Sequence, residues 1–272
     1  MANEKARRRG EHLLAMLREN GRVSVREAAE ALSLSEATVR RLFAALQAQG
    51  SVQRVPGGVQ LPVEADGYCF ARLEKTNEAQ KRRIGVAAAR TVRAGECLYL
   101  DCGTTVLQMA HALGERLADE PDFSFTAVTN SIANLSALRG FPRCRLILLG
   151  GEYNRERRDF SGIIAEKCLK LLHFQKCYLG CDGLSPEEGF SSDHLSLSSL
   201  NRLAMERSDV TAVLMDYSKF GRKGLISYAE LDRVNALITD TAPDAAIAGR
   251  LRAAGVTLML ANGDDKTGGG QR

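Results

Sequence analysis

No apolar run in this 272-residue chain approaches the roughly 18 residues needed to cross a bilayer as a helix. No apolar segment follows the basic stretch MANEKARRRG, so neither a membrane span nor a secretory signal is expected. Cys-x-x-Cys spacing is also missing. The cysteines number seven (Cys69, Cys97, Cys102, Cys144, Cys168, Cys177 and Cys181), an odd count, and most sit in apolar runs such as CLYL and CYLGC. That pattern speaks against a disulfide framework or a zinc site and for reduced, buried thiols in a cytoplasmic protein. No internal repeat is evident, and no metal or cofactor is called for.

Charge of one sign is scarce too, except in one place. Residues 1–60 hold ten Lys and Arg against six Glu, while the rest of the chain carries 27 basic and 27 acidic residues. The whole net charge of +4 therefore lies in the first 60 residues. A localised basic segment is the electrostatic footprint of a nucleic-acid-binding module.

The local pattern there has a definite form. Residues 7–19 set Leu13, Leu14 and Leu17 at helical spacing and end at the C-cap signal Asn20-Gly21. Ser24 with Glu27 makes a capping box for a second helix through Ala28, Ala29 and Leu32, which ends within Ser33-Leu34-Ser35. Ser35 then caps a third helix with Val39, Phe43 and Leu46 on one face, stopping at Gly50. SVQRVPGGVQL reads as a small hairpin around Pro56-Gly57-Gly58. Three helices and a hairpin make a winged helix-turn-helix over residues 1–60. With its apolar face inward, the third helix leaves Glu36, Ala37, Thr38, Arg40 and Arg41 on or beside the outer face of its first turns, behind the Ser35 cap. Those turns enter a major groove, where Arg pairs with guanine edges and Thr or Ala touches a thymine methyl. Arg54, Gly57 and Gly58 would let the wing lie against a phosphate or the minor groove.

Residues 61–76, with Pro62 and Gly67, are expected to be a linker. From residue 77 the texture changes. A helical stretch, EAQKRRIGVAAARTV, precedes seven short apolar runs: CLYLD, FTAVT, RLILLG, KCYLG, TAVLMD, NALITD and VTLML. Nearly continuous apolar strands alternating with helices imply a mostly parallel sheet covered on both faces. The chain is thus expected to be a multi-domain α/β protein, its larger domain spanning 77–262, with a disordered tail at 263–272 (GDDKTGGGQR). Several runs end in small or polar clusters. After CLYLD come Asp101, Gly103, Thr104 and Thr105 before an apolar helix, a suitable anion cradle. FTAVT leads into Thr129 and Asn130, RLILLG into Gly150 and Gly151, KCYLG into Asp182 and Gly183, and TAVLMD into Asp216 and Lys219. Ligands of open α/β sheets sit outside the carboxyl ends of the strands, and these groups suit a small, polyhydroxylated anion such as a sugar phosphate.

SVREAAEALSLSEATVRRLFAAL followed by the PGG wing resembles the N-terminal module of the DeoR/GlpR family of bacterial transcription regulators. There the third helix reads Ser-x-x-Thr-Ile/Val-Arg-Arg-Asp-Leu; Ser35, Thr38, Val39, Arg40 and Arg41 match, Phe43 stands for the Leu, and Leu42 departs from the Asp. The order DCGTT, VTNS, GGEY, GCDGL, MDYSKFGRK and LITD is similar to that family's sensor domain over residues 77–260. The resemblance implies a fold related to ribose-5-phosphate isomerase and glucosamine-6-phosphate deaminase that keeps a sugar-phosphate pocket without catalysis. It also implies a repressor of a carbohydrate operon. The partners would be a double-stranded DNA operator, a phosphorylated sugar and further copies of the chain, since one winged helix buries little surface. The SSDHLSLSSLNRLA stretch departs from the family, which commonly carries a Glu there. His194 is read there as a surface-loop residue, and His12, His111 and His173 as structural or solvent-facing. An alternative, a sugar-phosphate isomerase or deaminase with an appended helical domain, needs a base and a paired acid. Asp101, Asp182 or Glu152 are the nominees, but no paired His/Glu constellation emerges and the basic head would go unexplained.

Overall fold

The computed structural model describes residues 9–10, 12–14, 16–17, 22–48, 51–60 and 69–261. The chain divides into two compact units, Met1–Thr76 and Asn77–Arg272.

In the first unit, residues 9, 10, 12–14, 16 and 17 are helical (α1). Strand β1 (Arg22–Ser24) leads into α2 (Val25–Leu32), α3 (Glu36–Ala48), β2 (Gln53–Val55), β3 (Gly58–Gln60) and α4 (Phe70–Lys75). The expected capping box forms in full. Ser24 Oγ accepts from the Glu27 amide at 3.2 Å, and Glu27 Oε2 accepts from the Ser24 amide at 2.7 Å. The α2–α3 connection is tight because Ser33 takes the left-handed conformation (φ 52°). Ser35 caps α3, its hydroxyl accepting from the Thr38 amide at 3.3 Å. Leu13, Leu17, Ala28, Val39, Phe43 and Val59 are fully buried in one cluster. Each large apolar member contributes about 1.5–3 kcal/mol.

Two features here lie outside the sequence reading. The hairpin has a third strand, β1, antiparallel to β3, and residues 70–75 of the expected linker are helical, with Phe70 buried. The signals at Asn20-Gly21 and Gly50, and the tail 263–272, fall outside the described residues.

The second unit runs α5 (Glu78–Arg90), β4 (Cys97–Leu100), α6 (Thr104–Asp119), β5 (Phe125–Thr129), α7 (Ile132–Leu138) and β6 (Cys144–Leu148). A hairpin, β7 (Glu152–Asn154) and β8 (Asp159–Ser161), precedes α8 (Ile163–Lys170) and β9 (Phe174–Leu179). Then come β10 (Gly183–Ser185), β11 (Gly189–Ser192), α9 (Leu195–Glu206), β12 (Ser208–Leu214), β13 (Ile226–Ala229), β14 (Ala236–Thr239), α10 (Ala245–Ala253) and β15 (Thr257–Leu260). All seven apolar runs became strands of one sheet, ordered β15-β14-β12-β9-β4-β5-β6 and parallel throughout.

Side-chain alternation splits each strand between two apolar layers. Leu98, Leu100, Tyr178, Leu214 and Ile238 pack with α5 and α6, whereas Tyr99, Cys177, Leu179, Val213 and Leu237 pack with α8, α9 and α10. The α5–α6 contact depends on Gly85: a Cβ there would lie 2.4 Å from the Gln108 carbonyl carbon. The chain builds outward from β4 to β6, returns to β9 beside β4, and builds outward the other way. The direction of winding therefore reverses between β4 and β9, which opens a crevice at their carboxyl ends.

Candidate functional site

On α3 the buried Val39, Phe43 and Leu46 leave Glu36, Ala37, Arg40 and Arg41 exposed, with Ser35 exposed before them and Thr38 half-buried. Arg40 pairs with Glu36 one turn earlier at 3.3 Å, both more than half exposed. Such a pair contributes about 0.3–0.5 kcal/mol, so it orients the guanidinium more than it stabilises the helix. Leu42, where the resemblance expects Asp, packs on the module's core instead.

The wing divides its residues. Arg54 and Gly57 are exposed, Gly57 at φ 80°. Gly58 is buried, and a Cβ on it would stand 2.3 Å from the Val23 carbonyl oxygen. Gly58 thus serves β-sheet closure, while Gly57 stands open at the wing tip. The tip is tied down by Arg22, which donates to the Pro56 carbonyl, and by the Val25 amide, which donates to Gly57 at 3.0 Å.

In the second unit, parallel pairing brings the polar clusters to one edge. Asp101 is buried at the β4–β9 reversal, and its Oδ2 accepts from the Gly180 amide at 3.0 Å. Its Oδ1 is buried and, among the described residues, has no hydrogen-bond partner. Burial raises the Asp101 pKa above the usual carboxylate range, opposed by backbone hydrogen bonds from Gly180 and Cys102. Gly103 is the N-cap of α6 and offers no side chain to its leading amides, and Thr104 and Thr105 open the first turn. Its leading amides are therefore open to an anion. Asp182, Lys219, Asp216 and Asp101 converge electrostatically on Cys181, whose thiol pKa is driven upward first by burial and next by Asp182.

Other predicted positions are taken up by the scaffold. The Thr129 hydroxyl donates to Leu100 at 2.6 Å and accepts from the Ser131 amide and from Asn134 Nδ2. Asn130 Nδ2 donates to Phe160 at 3.1 Å, and its Oδ1 accepts from Tyr99 at 3.3 Å. Asp216 Oδ1 accepts from Asn77 and Ser218. Gly150 is exposed, Gly151 abuts the Ser161 carbonyl, and Gly183 begins β10 against Arg222.

Sequence reasoning missed a second set. Arg157, on the β7–β8 hairpin, is buried and pairs with Asp159 at 3.1 Å. Asp159 also accepts from the Cys102 thiol at 3.0 Å, which ties the hairpin to the turn before α6. His194 is half-buried and lies under the influence of Arg157, Asp182, Asp159 and Asp193. Its pKa is lowered first by burial and next by Arg157. His194, read as a surface-loop residue, stands at the start of α9. Only the Asp-His pair in the sequence hinted at this; nothing in the periodicity predicted the hairpin.

A basic helix-turn-helix module followed by a doubly wound α/β unit is the make-up of a DNA-binding transcription regulator. Residues 9–64 match the DeoR-like helix-turn-helix domain and residues 76–241 the DeoR C terminal sensor domain. The chain belongs to the DeoR family. It is 31% identical to the HTH-type transcriptional regulator YulB of Bacillus subtilis (strain 168), over 82% of this chain and 84% of that protein. It is 28% identical to the lactose phosphotransferase system repressor of Lactococcus lactis subsp. lactis, over 86% of this chain and 91% of that one. Among solved structures, ribose 5-phosphate isomerase A of Methanocaldococcus jannaschii aligns with a TM-score of 0.40 and 16% identity, over 53% of this chain and 55% of that one. Among the described residues no helix is long and apolar enough to cross a membrane.

Proposed function

We propose that this regulator represses a carbohydrate-utilisation operon in the cytoplasm, and that a phosphorylated sugar bound at the carboxyl ends of the strands modulates its grip on the operator. Arg40, Arg41 and Thr38 would face base edges; Ser35, Glu36 and Ala37 border them, and Arg54 and Gly57 approach the backbone. In the sensor, the first turn of α6 takes the phosphate, Lys219 supplies compensating charge, and Asp101 holds a sugar hydroxyl. Thr129, Asn130, Gly150, Gly151, Gly183 and Asp216 shape the walls. The observation that carries the reading is Asp101: a buried carboxylate with one oxygen unmet among the described residues, just before the start of a sixteen-residue helix whose N-cap Gly103 offers no side chain. The Lactococcus lactis relative is named as a repressor.

The mechanism is population shift: the sugar phosphate favours one arrangement of an oligomer and changes how its DNA modules are held. The test is operator binding at fixed salt, with the operator found by selection from random DNA, with and without pentose and hexose phosphates. A sugar phosphate that shifts operator affinity without being turned over supports the reading. Turnover, or no response from any of them, refutes it.

A further inference from the structure

The helix that follows the His194 corner carries a polar stripe inward. Leu195, Ser196, Ser199, Arg202 and Glu206 are the exposed residues of α9, so its opposite face is buried. His194, Ser198 and Asn201 rise along that buried face at i, i+4 and i+7. His194 lies beside the carboxyl-end cluster: its amide donates to Ser192 Oγ at 3.2 Å, and that hydroxyl donates to Asp182 at 3.0 Å. Ser198 uses its hydroxyl on the His194 carbonyl at 2.9 Å. Asn201 is different. It is fully buried, and among the described residues neither Oδ1 nor Nδ2 has a hydrogen-bond partner.

Buried side-chain amides are nearly always paired, and one with both ends unmet calls for an explanation. The other unmet neutral groups are milder cases. Asn134 is anchored through Nδ2 to Asp101 and Thr129, and Thr239 leaves a single hydroxyl. Asn201 offers an acceptor and two donors while adding no charge. That set matches a pair of neighbouring hydroxyls, one donating to Oδ1 and the other accepting from Nδ2. It does not match a second phosphate or a carboxylate, which would bring charge into a buried, neutral place.

We propose that Asn201 is an effector-recognition residue, reading the uncharged hydroxyl-bearing portion of the ligand while the start of α6 takes the anionic group. The inference rests on the sensor reading above. It adds that the effector is a singly phosphorylated polyol, a sugar monophosphate and not a bisphosphate or a phosphorylated sugar acid.

The full chain, as wild type, N201L and N201D, is titrated calorimetrically with ribose 5-phosphate, fructose 6-phosphate, glucosamine 6-phosphate and inorganic phosphate. Whichever sugar phosphate binds wild type is expected to bind N201L about 10- to 100-fold more weakly, the loss of one or two buried hydrogen bonds. Inorganic phosphate affinity and operator affinity at fixed salt stay unchanged. N201D keeps the volume but places a carboxylate against the ligand, and it weakens binding as well; it carries the comparison if N201L fails to fold. Unchanged sugar-phosphate affinity in both variants, with a raised melting temperature in N201L, means that the amide lies in sealed core, and overturns the inference alone. A wild type that binds none of the three sugar phosphates overturns the sensor reading, and this inference with it.

Discussion

Asp101→Asn separates what the fold needs from what the ligand needs. The carboxylate is buried, one oxygen is held by the Gly180 amide, and the other has no partner among the described residues. Asparagine keeps an acceptor for Gly180 and removes the charge. A buried, unmet charged oxygen costs more than a neutral one, and the penalty for an unmet polar group is about 1–3 kcal/mol. Recovering part of it in a unit of this size raises the melting temperature by roughly 2–4 °C per kcal/mol. The pH dependence has a fixed sign. Burial raises the folded-state pKa of Asp101 above 3.8, so the folded chain holds the proton more tightly than the unfolded one. The aspartate's cost is absent below 3.8, grows as pH rises through the shifted pKa, and is complete above it. The gain of the variant is accordingly seen at neutral pH and vanishes in acid. Sugar-phosphate affinity moves the other way, falling about tenfold or more as the acceptor for a hydroxyl is lost. Calorimetric melting and ligand titration of the same preparations test both. A variant that melts lower at neutral pH and binds ligand normally would refute the reasoning.

Arg41→Ala distinguishes base from phosphate readout in the exposed face of α3. If Arg41 meets a base, operator affinity drops by about 1–3 kcal/mol at an unchanged salt slope; if it meets a phosphate, the log–log slope shrinks by roughly 0.9. No effect on either quantity would remove Arg41 from the interface. In the wing, Gly58→Ala is expected to destabilise more than Gly57→Ala. The first drives a Cβ to 2.3 Å from a backbone oxygen, whereas the second meets open space and bears only the strain of φ 80°, about 1 kcal/mol; chemical denaturation of the two variants ranks them. The His194 titration midpoint, followed by NMR, is expected below 6.5, because burial and Arg157 disfavour the imidazolium. The unfolded chain takes that proton first, so the stability linked to His194 is present above 6.5 and is lost as pH falls through the lowered pKa. A midpoint at or above 6.5 contradicts the placement of His194.

The sequence alone determined the elements whose signals are local. Apolar period picked out all seven strands of the parallel sheet, and capping chemistry located α2 and α3, because burial on both sheet faces and unmet helix-end amides each act within a few residues. The inward triad Val39, Phe43 and Leu46 followed from helical spacing, and with it the outward placement of Arg40 and Arg41. Tertiary structure decided the rest. Which polar turns use their groups on the scaffold, as Thr129 and Asn130 do, depends on partners 29 to 31 residues away. That Gly58 closes a sheet follows from β1, a three-residue strand too short to leave a periodic trace. Arg157 meets Asp159, and through it the Cys102 turn, only because a hairpin brings them together, and Asn201 has no partner among the described residues only because α9 turns that face inward. Spacing along the chain encodes faces; it does not encode which faces meet.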